Sequence, residues 1–260
     1  KDISSVKIQG AANVAKAAVK AYSLKPTKIS KAKLFKLRPT EPALWNALNV
    51  AEKSSVEAVL NHFDNAQEFI NYYVNKLIPS NSVIFTHCHS SALVTALIAS
   101  HNAGKSFSVI NTETRPLYKG RITAQQLSKA GIKVSISVDS AMHEDIKRAN
   151  IVMVGADAVT KKGVINKIGS GAIAELAFVH KKPVYIVTDS WKYSLQKVPI
   201  ENRPKKEVWA QSPKKIEIEN SSFELIPSKY IAKLISELGI LSHKQFIKEA
   251  KDGLKRAASA

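Results

Sequence analysis

A cysteine and an aspartate each follow a short apolar run in this sequence, and together they could move protons. Cys88 follows the run VIFTH and precedes a predicted helix, while Asp157 follows the run IVMVGA. A cysteine near a helix N-terminus is predicted to be a thiolate, because the helix dipole favours negative charge there. A carboxylate after a buried strand can serve as an acid or a base. The alternative interpretations are a buried structural cysteine and a turn-capping aspartate.

Cations in three other segments could bind an anion. The segment NKIGSGA places Lys167 and small residues at the start of a predicted helix, which suits a phosphate. Arg115, in NTETRPLYKG beside Lys119, could hold a phosphate with its guanidinium or pair with Glu113. Arg38, in RPTEPALWNAL, has the same two interpretations. None of these segments is a Walker or GxGxxG motif, so they do not identify the ligand by themselves.

The elements that must position these residues change character near residue 80. Before it, residues 11–22 and 54–77 have apolar side chains at helical spacing, and residues 37–48 predict an ordered loop that enters a helix. After it, short β-branched runs alternate with helical segments. The sequence therefore predicts an α/β fold: an N-terminal helical domain at residues 1–80, then a Rossmann-like catalytic domain at residues 81–260, whose mostly parallel sheet has helices on both faces.

The predicted strands of that domain are residues 83–88, 108–111, 133–138, 151–155 and 184–188, and its predicted helices are residues 91–101, 123–130, 141–147 and 170–180. Ligands of such sheets bind outside the carboxyl ends of the strands, so Cys88 and Asp157 are expected at one edge. After Ser194, we expect an antiparallel pair of strands, then the segment FELIP, a helix at residues 228–238 and a basic tail at residues 244–260.

Composition excludes several classes of protein. The chain has 260 residues, of which 45% are hydrophobic, and one cysteine, which leaves no intramolecular disulfide and favours the cytoplasm. No apolar run suits a membrane span or a signal peptide. The net charge is +18, but the basic residues are not interleaved with aromatic residues. This pattern favours an anion-binding pocket over a nucleic-acid-binding surface. The consecutive residues His87, Cys88 and His89 would point to opposite faces of a strand, so no metal site is expected.

The blocks of this sequence, taken in order, resemble the superfamily of initiation factor 2B regulatory subunits and sugar-phosphate isomerases. The matching blocks span nearly the whole chain: IQGAANVAKAA, RPTEPALWNAL, THCHSSALVTAL, NTETRPLYKGRITAQQLSKAGI, VDSAMHED, VGADAVTKKGVINKIGSGAIAELA, DSWKY and FELIPSKYIAKLISELGI. The isomerases pair a cysteine after the first strand with an aspartate in a GAD block, and Cys88 and Asp157 match that pair. The THCHS block resembles archaeal ribose-1,5-bisphosphate isomerase more than methylthioribose-1-phosphate isomerase, whose block usually continues with Asn.

The resemblance implies an aldose-ketose isomerase that converts ribose 1,5-bisphosphate to ribulose 1,5-bisphosphate in AMP breakdown. Cys88 would be the base and Asp157 the acid. The implied substrate and phosphate contacts are Gln9, Gly10, Ala11, Arg38, Arg115, Asn166, Lys167 and Lys192. The isomerases carry Arg where this chain has Gln9, which predicts weaker binding of one phosphate unless Lys7 replaces that charge.

The resemblance also implies that no metal or redox cofactor is needed, and that a nucleotide such as AMP is a candidate activator. It implies a homo-oligomer, either a dimer or a hexamer built as a trimer of dimers. Two alternatives stay open at this point. One is a 2B-like regulatory subunit that binds an initiation factor and a nucleotide or sugar phosphate, and the other is a methylthioribose-1-phosphate isomerase-like enzyme.

Overall fold

Four helices form the first part of the chain in the computed structural model, which describes residue 8 and residues 10–259. They are α1 (Ala11–Leu24), α2 (Lys28–Phe35), α3 (Pro42–Ala51) and α4 (Val56–Leu77). Thr27 and Ser55 cap α2 and α4, because each side chain accepts a hydrogen bond from a backbone N–H of the first turn. The apolar face of α4 is buried at helical spacing along its length, at Val59, Phe63, Ala66, Ile70 and Val74.

Strands and helices alternate after α4. The strands are β1 (Ser82–Thr86), β2 (Phe107–Thr112), β3 (Lys133–Ser137), β4 (Ile151–Val154), β5 (Ala158–Thr160), β6 (Gly163–Lys167), β7 (Val184–Val187), β8 (Phe223–Pro227), β9 (Lys233–Ser236) and β10 (Gly239–Leu241). Seven of them form one sheet in the order β10-β9-β7-β4-β1-β2-β3. All its neighbouring strands are parallel except the β9–β10 pair, which confirms the predicted fold class.

Helices cover both faces of this sheet, as the sequence predicts. They are α5 (Ser91–Asn102), α6 (Lys119–Lys129), α7 (Met142–Arg148), α8 (Ser170–Val179) and α9 (His243–Ser259). Successive strand residues point to opposite faces, so Ile84 packs with α4, α5 and α6, while Phe85 packs with α7, α8 and α9.

The helical region shares apolar contacts with the rest of the chain. Trp191, which lies after β7, and Leu254 of α9 pack among the buried residues of α1, α3 and α4. The C-terminal part of α4 belongs to the core on one face of the sheet. The division into two domains at residue 80 stays a prediction.

Two predictions for the chain after residue 227 were wrong. Residues 228–238 do not form a helix; a short 3-10 turn is followed by β9, which pairs with β7, and by the hairpin to β10. The apolar residues Ile231, Leu234, Ile235 and Leu238 have helical spacing, but Leu234 and Ile235 are buried on the two faces of a strand. The basic tail predicted at residues 244–260 is wrong for residues 244–259, which belong to a helix, α9, that buries Phe246 and Ala250 in the core.

A second, three-stranded sheet has the order β5-β6-β8 and was not predicted. Its strands are antiparallel. Among described residues 195–222 there is no strand, and the expected antiparallel pair after Ser194 is reduced to one bridge between Asn202 and Ser221. No helix within the described part of the chain is long and apolar enough to cross a membrane.

Candidate active site

The loops that follow β1, β4 and β6 meet at one edge of the structure. Gly155, after β4, lies so close to the β1–α5 loop that an added Cβ would be 2.6 Å from the Cβ of Ser90. Gly169, after β6, has a φ of 100°, and its added Cβ would be 3.2 Å from Nε2 of His87. Because no side chain separates these loops, Cys88 and Asp157 come close enough to interact electrostatically.

The backbone of Cys88 is held in a conformation that is unusual for a residue with a side chain. β1 ends at Thr86, two residues earlier than predicted, and Cys88 has a φ of 66°. Such a left-handed conformation costs about 1 kcal/mol or more without support. The Cys88 N–H donates to Oγ1 of Thr114 at 2.9 Å, and its carbonyl accepts from Oγ1 of Thr123 at 2.9 Å. Hydroxyl groups from two other segments therefore fix the cysteine.

His87 joins the β1 loop to its neighbours and is buried. Its Nε2 lies 3.0 Å from the carbonyl oxygen of Ile168, so Nε2 carries the proton and donates. Its Nδ1 therefore accepts from the Thr112 hydroxyl, 2.5 Å away. Burial lowers the pKa of His87, which agrees with a neutral ring. His87 thus positions the loops and does not add charge to the site.

The Cys88 thiol does not have the acidity that the sequence predicted. It is partly accessible to solvent, yet burial raises its pKa, while Lys119 and Lys167 act in the opposite direction. The helix α5 begins at Ser91 and is capped by Ser90, so its N-terminus lies beyond Cys88. This environment disfavours the expected thiolate, because the loss of water outweighs the nearby positive charges.

The carboxyl group of Asp157 is less acidic than that of an ordinary aspartate. Its backbone N–H donates to the carbonyl of Ile165 at 2.9 Å, which ties the end of β4 to β6. Burial raises the pKa of its carboxyl group. Four cations oppose this rise: Lys192, Lys119, Arg38 and Lys167. A carboxyl group in this environment can keep a proton at a pH at which an exposed aspartate has lost it.

The structure brings most of the predicted cations to Asp157. Arg38 is buried and pairs with Glu41 at 2.5 Å, and Lys192 is buried and lies 3.6 Å from Asp189. Lys167 is the last residue of β6, and burial lowers its pKa. Its neighbour Asn166 donates from Nδ2 to the Ser170 hydroxyl at 3.0 Å.

A cavity of about 30 Å³ adjoins this cluster. It is lined by Arg38, Leu117, Lys119, Lys167, Glu201, Arg203 and Ser222. Glu201 lies between two arginines, 3.5 Å from Arg38 and 3.1 Å from Arg203, and Glu207 lies 2.8 Å from Arg203. Within the described residues, one buried carboxylate oxygen of Glu41 has no hydrogen-bond partner, and Nε of Arg38 and its neighbouring Glu201 oxygen form no hydrogen bond across the 3.5 Å between them. Unpaired polar atoms of this kind indicate a site for a polar ligand or water.

Sequence reasoning missed Glu41, Glu201, Arg203 and Glu207 and did not include Lys119 among the contacts. Lys119 could have been found, because it stands in the same block as Arg115. Arg203 had no such signal, since it lies in a charged connection without regular structure. Its ion pairs are with Glu201 and Glu207 of the same segment, and its place in the cavity wall depends on how that segment folds against Arg38.

Two predicted phosphate-binding features, Arg115 and the N-terminus of α8, differ from expectation. Arg115 is exposed and is not among the cavity-lining residues; its guanidinium donates to the Tyr118 hydroxyl at 2.8 Å and to the Val208 carbonyl at 3.0 Å. Glu113 pairs instead with Arg121, at 2.7 Å. At the N-terminus of α8, the N–H of Gly171 already donates to the Glu224 carboxylate at 2.7 Å, so this N–H does not face a phosphate.

The front motif reaches the other side of the β1 loop. Gly10 caps α1 with a φ of 85°, and an added Cβ there would lie 3.3 Å from Oγ of Ser91 at the start of α5. Ala11 is buried as the first residue of α1. Gln9 lies outside the described residues.

The chain is similar to known proteins along most of its length. The model of the initiation factor 2 subunit family matches residues 5–243. Ribose 1,5-bisphosphate isomerase of Archaeoglobus fulgidus is 32% identical over 272 residues, covering 92% of this chain and 87% of that protein. Methylthioribose-1-phosphate isomerase of Pelotomaculum thermopropionicum is 31% identical, covering 86% of this chain and 68% of that protein. The crystal structure of translation initiation factor eIF-2B from Pyrococcus horikoshii OT3 matches with a TM-score of 0.83 at 27% identity, covering 92% of this chain and 94% of that chain.

Proposed function

Because the chain belongs to the initiation factor 2 subunit family and is a sugar-phosphate isomerase, we propose that it converts ribose 1,5-bisphosphate to ribulose 1,5-bisphosphate. The relatives named ribose 1,5-bisphosphate isomerase support this substrate, and the proximity of Cys88 to Asp157 supports the isomerase chemistry that both candidate reactions share. The competing isomerase substrate, methylthioribose 1-phosphate, carries one phosphate and an apolar methylthio group. The charge of the cavity distinguishes the two substrates.

The cationic lining of the cavity is the observation that carries the proposal. Arg38, Lys119, Lys167 and Arg203 line it, and Leu117 is the one apolar residue among the lining residues. Lys192 adds a fifth cation near Asp157. A bisphosphate brings about four negative charges at neutral pH, since each phosphate contributes up to about two. Such a ligand could pair with several of these cations, whereas a methylthio group would find little apolar surface.

The proposed reaction consists of two proton exchanges, one by Asp157 and one by Cys88. Protonated Asp157 gives its proton to the ring oxygen as the C1–O4 bond breaks, and it recovers a proton from the 2-hydroxyl group when the ketone forms. Cys88 removes the proton from C2 and returns it to C1. Each group ends in the state in which it began, and the proton transfers need no redox cofactor or metal.

The raised pKa of Cys88 is a cost that this reaction must meet. A thiol acts as a base only as a thiolate, and burial opposes that form. The ammonium groups of Lys119 and Lys167 favour it. The raised pKa of Asp157, by contrast, favours this reaction, because an acid must hold its proton until the ring opens.

Substrate entry requires the cavity to widen, because about 30 Å³ holds only about one or two water molecules. The segment that contains Glu201 and Arg203 forms part of its wall. This segment is tied to the N-terminal helices by the Arg38–Glu201 pair and by the Thr40 hydroxyl, which donates to the Pro199 carbonyl at 2.7 Å. Two phosphates could replace the carboxylates that pair with Arg38 and Arg203.

The experiment is a turnover assay on the purified protein. Ribose 1,5-bisphosphate, ribose 5-phosphate and methylthioribose 1-phosphate are supplied separately, and ketose formation is followed by NMR. We expect a ketose from the bisphosphate in the wild type and none in Asp157→Asn. If none of the sugar phosphates is converted, the regulatory-subunit interpretation gains. If methylthioribose 1-phosphate is converted best, the bisphosphate assignment is wrong.

We also propose that the protein is an even-numbered homo-oligomer. Closed two-fold assemblies are the commonest arrangement among soluble oligomers. Light scattering at micromolar concentration decides between a monomer, a dimer and a hexamer. Activation by a nucleotide such as AMP stays a prediction, which the same turnover assay checks when AMP is added.

A further inference from the structure

We propose that Lys119 contacts the substrate, and that its ammonium group binds an anionic oxygen of the sugar phosphate beside the Cys88 thiol. This inference rests on the proposed function, because it requires a phosphorylated or enolic ligand next to Cys88. Lys119 was not among the predicted contacts. Four features of its surroundings support the assignment: its face of the helix, its fixed backbone, its lack of a carboxylate partner and its position in the cavity wall.

The helix α6 directs Lys119 towards the cysteine. Lys119 is the first residue of α6, and Thr123 lies one turn later on the same face. Thr123 donates its hydroxyl to the Cys88 carbonyl at 2.9 Å, so this face of α6 lies against the β1 loop. Arg121, two residues after Lys119, points elsewhere, because it pairs with Glu113 and lies 3.9 Å from the centre of the Tyr118 ring.

The backbone on which Lys119 stands is fixed by the residue after it. A Cβ on Gly120 would lie 1.8 Å from the carbonyl oxygen of Thr112, so only glycine fits against the end of β2. The Gly120 N–H donates to the Glu113 carbonyl at 3.1 Å, and its own carbonyl accepts from Nδ2 of Asn111 at 2.6 Å. The start of α6 is therefore held at the carboxyl end of the sheet, where ligands bind in this class of fold.

Lys119 differs from the other cations of the site in its pairing. Arg38, Lys192 and Arg203 each form an ion pair with a carboxylate. Within the part of the chain that the structure describes, Lys119 and Lys167 take part in no such pair. Both line the cavity. A cation in a site with little water is stabilised by an anion, so these two ammonium groups have the environment of ligand-binding residues.

The charged groups that face Cys88 come from three elements. Lys119 belongs to α6, Lys167 to β6, and Asp157 follows β4. Of the two cations, Lys119 lowers the pKa of the thiol more than Lys167 does, and Asp157 raises this pKa. Removal of the Lys119 charge should therefore make the thiol less acidic as well as weaken substrate binding.

The single cysteine makes this acidity directly measurable. The rate of alkylation by iodoacetamide is measured against pH in the wild type, in Lys119→Met and in Lys119→Arg. The control is Lys129→Met, which changes an exposed lysine in the last turn of the same helix. We expect Lys119→Met to shift the alkylation profile of Cys88 to higher pH, Lys119→Arg to restore most of it, and Lys129→Met to leave it unchanged.

The same variants test the contact with substrate. We expect Lys119→Met to raise the KM for ribose 1,5-bisphosphate about tenfold to a hundredfold, the effect of losing one charge-assisted hydrogen bond. Inorganic phosphate should slow alkylation of Cys88 in the wild type and in Lys129→Met, and should give less protection in Lys119→Met. If Lys119→Met keeps both the wild-type KM and the wild-type phosphate protection, the assignment of Lys119 is overturned.

The two measurements separate this inference from the proposed function. A protein that converts no sugar phosphate but loses phosphate protection in Lys119→Met would refute the isomerase reaction and support Lys119 as an anion-binding residue. A protein that converts the bisphosphate with the same KM with and without the Lys119 charge, and that keeps its phosphate protection in Lys119→Met, would do the reverse.

Discussion

The buried carboxyl group of Glu41 should make the stability of this protein fall between weakly acidic and neutral pH. Glu41 is 1% exposed, and burial raises its pKa from 4.5 to about 7, although Arg38 opposes the rise. A group whose pKa is raised by folding stabilises the folded state fully below its unfolded pKa. That stability is lost as the pH rises through the folded value. The window for Glu41 therefore runs from 4.5 to about 7.

The size of the effect follows from the two pKa values. Each pKa unit corresponds to about 1.4 kcal/mol, so the rise from 4.5 to about 7 amounts to about 3 kcal/mol of lost stability across this window. Glutamine has the shape of glutamate and no charge to lose. Glu41→Gln should therefore remove about 3 kcal/mol from the pH-dependent decrease in the free energy of unfolding.

The assay is urea denaturation of the wild type and Glu41→Gln at a series of pH values from about 4.5 to 8. Burial also raises the pKa of Glu237 to about 7. Glu41→Gln should therefore still lose free energy of unfolding over this pH range, but less than the wild type loses. Glu57→Gln, at an exposed position of α4, is the matched control and should behave as the wild type does. Parallel curves for Glu41→Gln and the wild type would refute a protonated, buried Glu41.

Three further substitutions test the site. Cys88→Ser should lower kcat about a hundredfold or more with a melting temperature near that of the wild type, whereas a purely structural cysteine would instead lower the melting temperature. Glu201→Gln should lower the KM for the bisphosphate about two- to fivefold, because Arg38 and Arg203 no longer pair with its carboxylate; an unchanged KM would show that this pair does not compete with substrate. Gln9→Arg should lower the KM for ribose 1,5-bisphosphate more than for a monophosphate, by about tenfold if one charge-assisted hydrogen bond forms, and equal effects would argue against two phosphate sites.

The sequence predicts the parallel sheet well, because its signals are local. Alternating β-branched runs and helical segments predict strands β1 to β4 and β7 near their observed positions. The convergence of Cys88 and Asp157 follows from the rule that parallel strands end at one edge. Residues 228–238 show where local reasoning stops. Their apolar spacing fits a helix, and only pairing with β7 makes Leu234 and Ile235 a strand.

The chemistry of the site was harder to predict than its location. The acidity of Cys88 depends on how much water its surroundings exclude, and the sequence near Cys88 contains no measure of that. The ion pairs of Arg203 with Glu201 and Glu207 lie in an irregular segment, and their place beside Arg38 depends on how the whole chain folds. Lys119 acquires its importance from the contact between Thr123 and Cys88, which joins distant parts of the sequence.

The preference of the enzyme between two sugar phosphates tests the central claim most directly. The measurement is kcat/KM for ribose 1,5-bisphosphate and for methylthioribose 1-phosphate, made side by side on the same purified protein. Loss of the second phosphate removes at least one charge-assisted interaction with the cationic cavity, so we expect the bisphosphate to be favoured by about tenfold to a hundredfold or more. Equal values, or a preference for methylthioribose 1-phosphate, would contradict a site built for two phosphates.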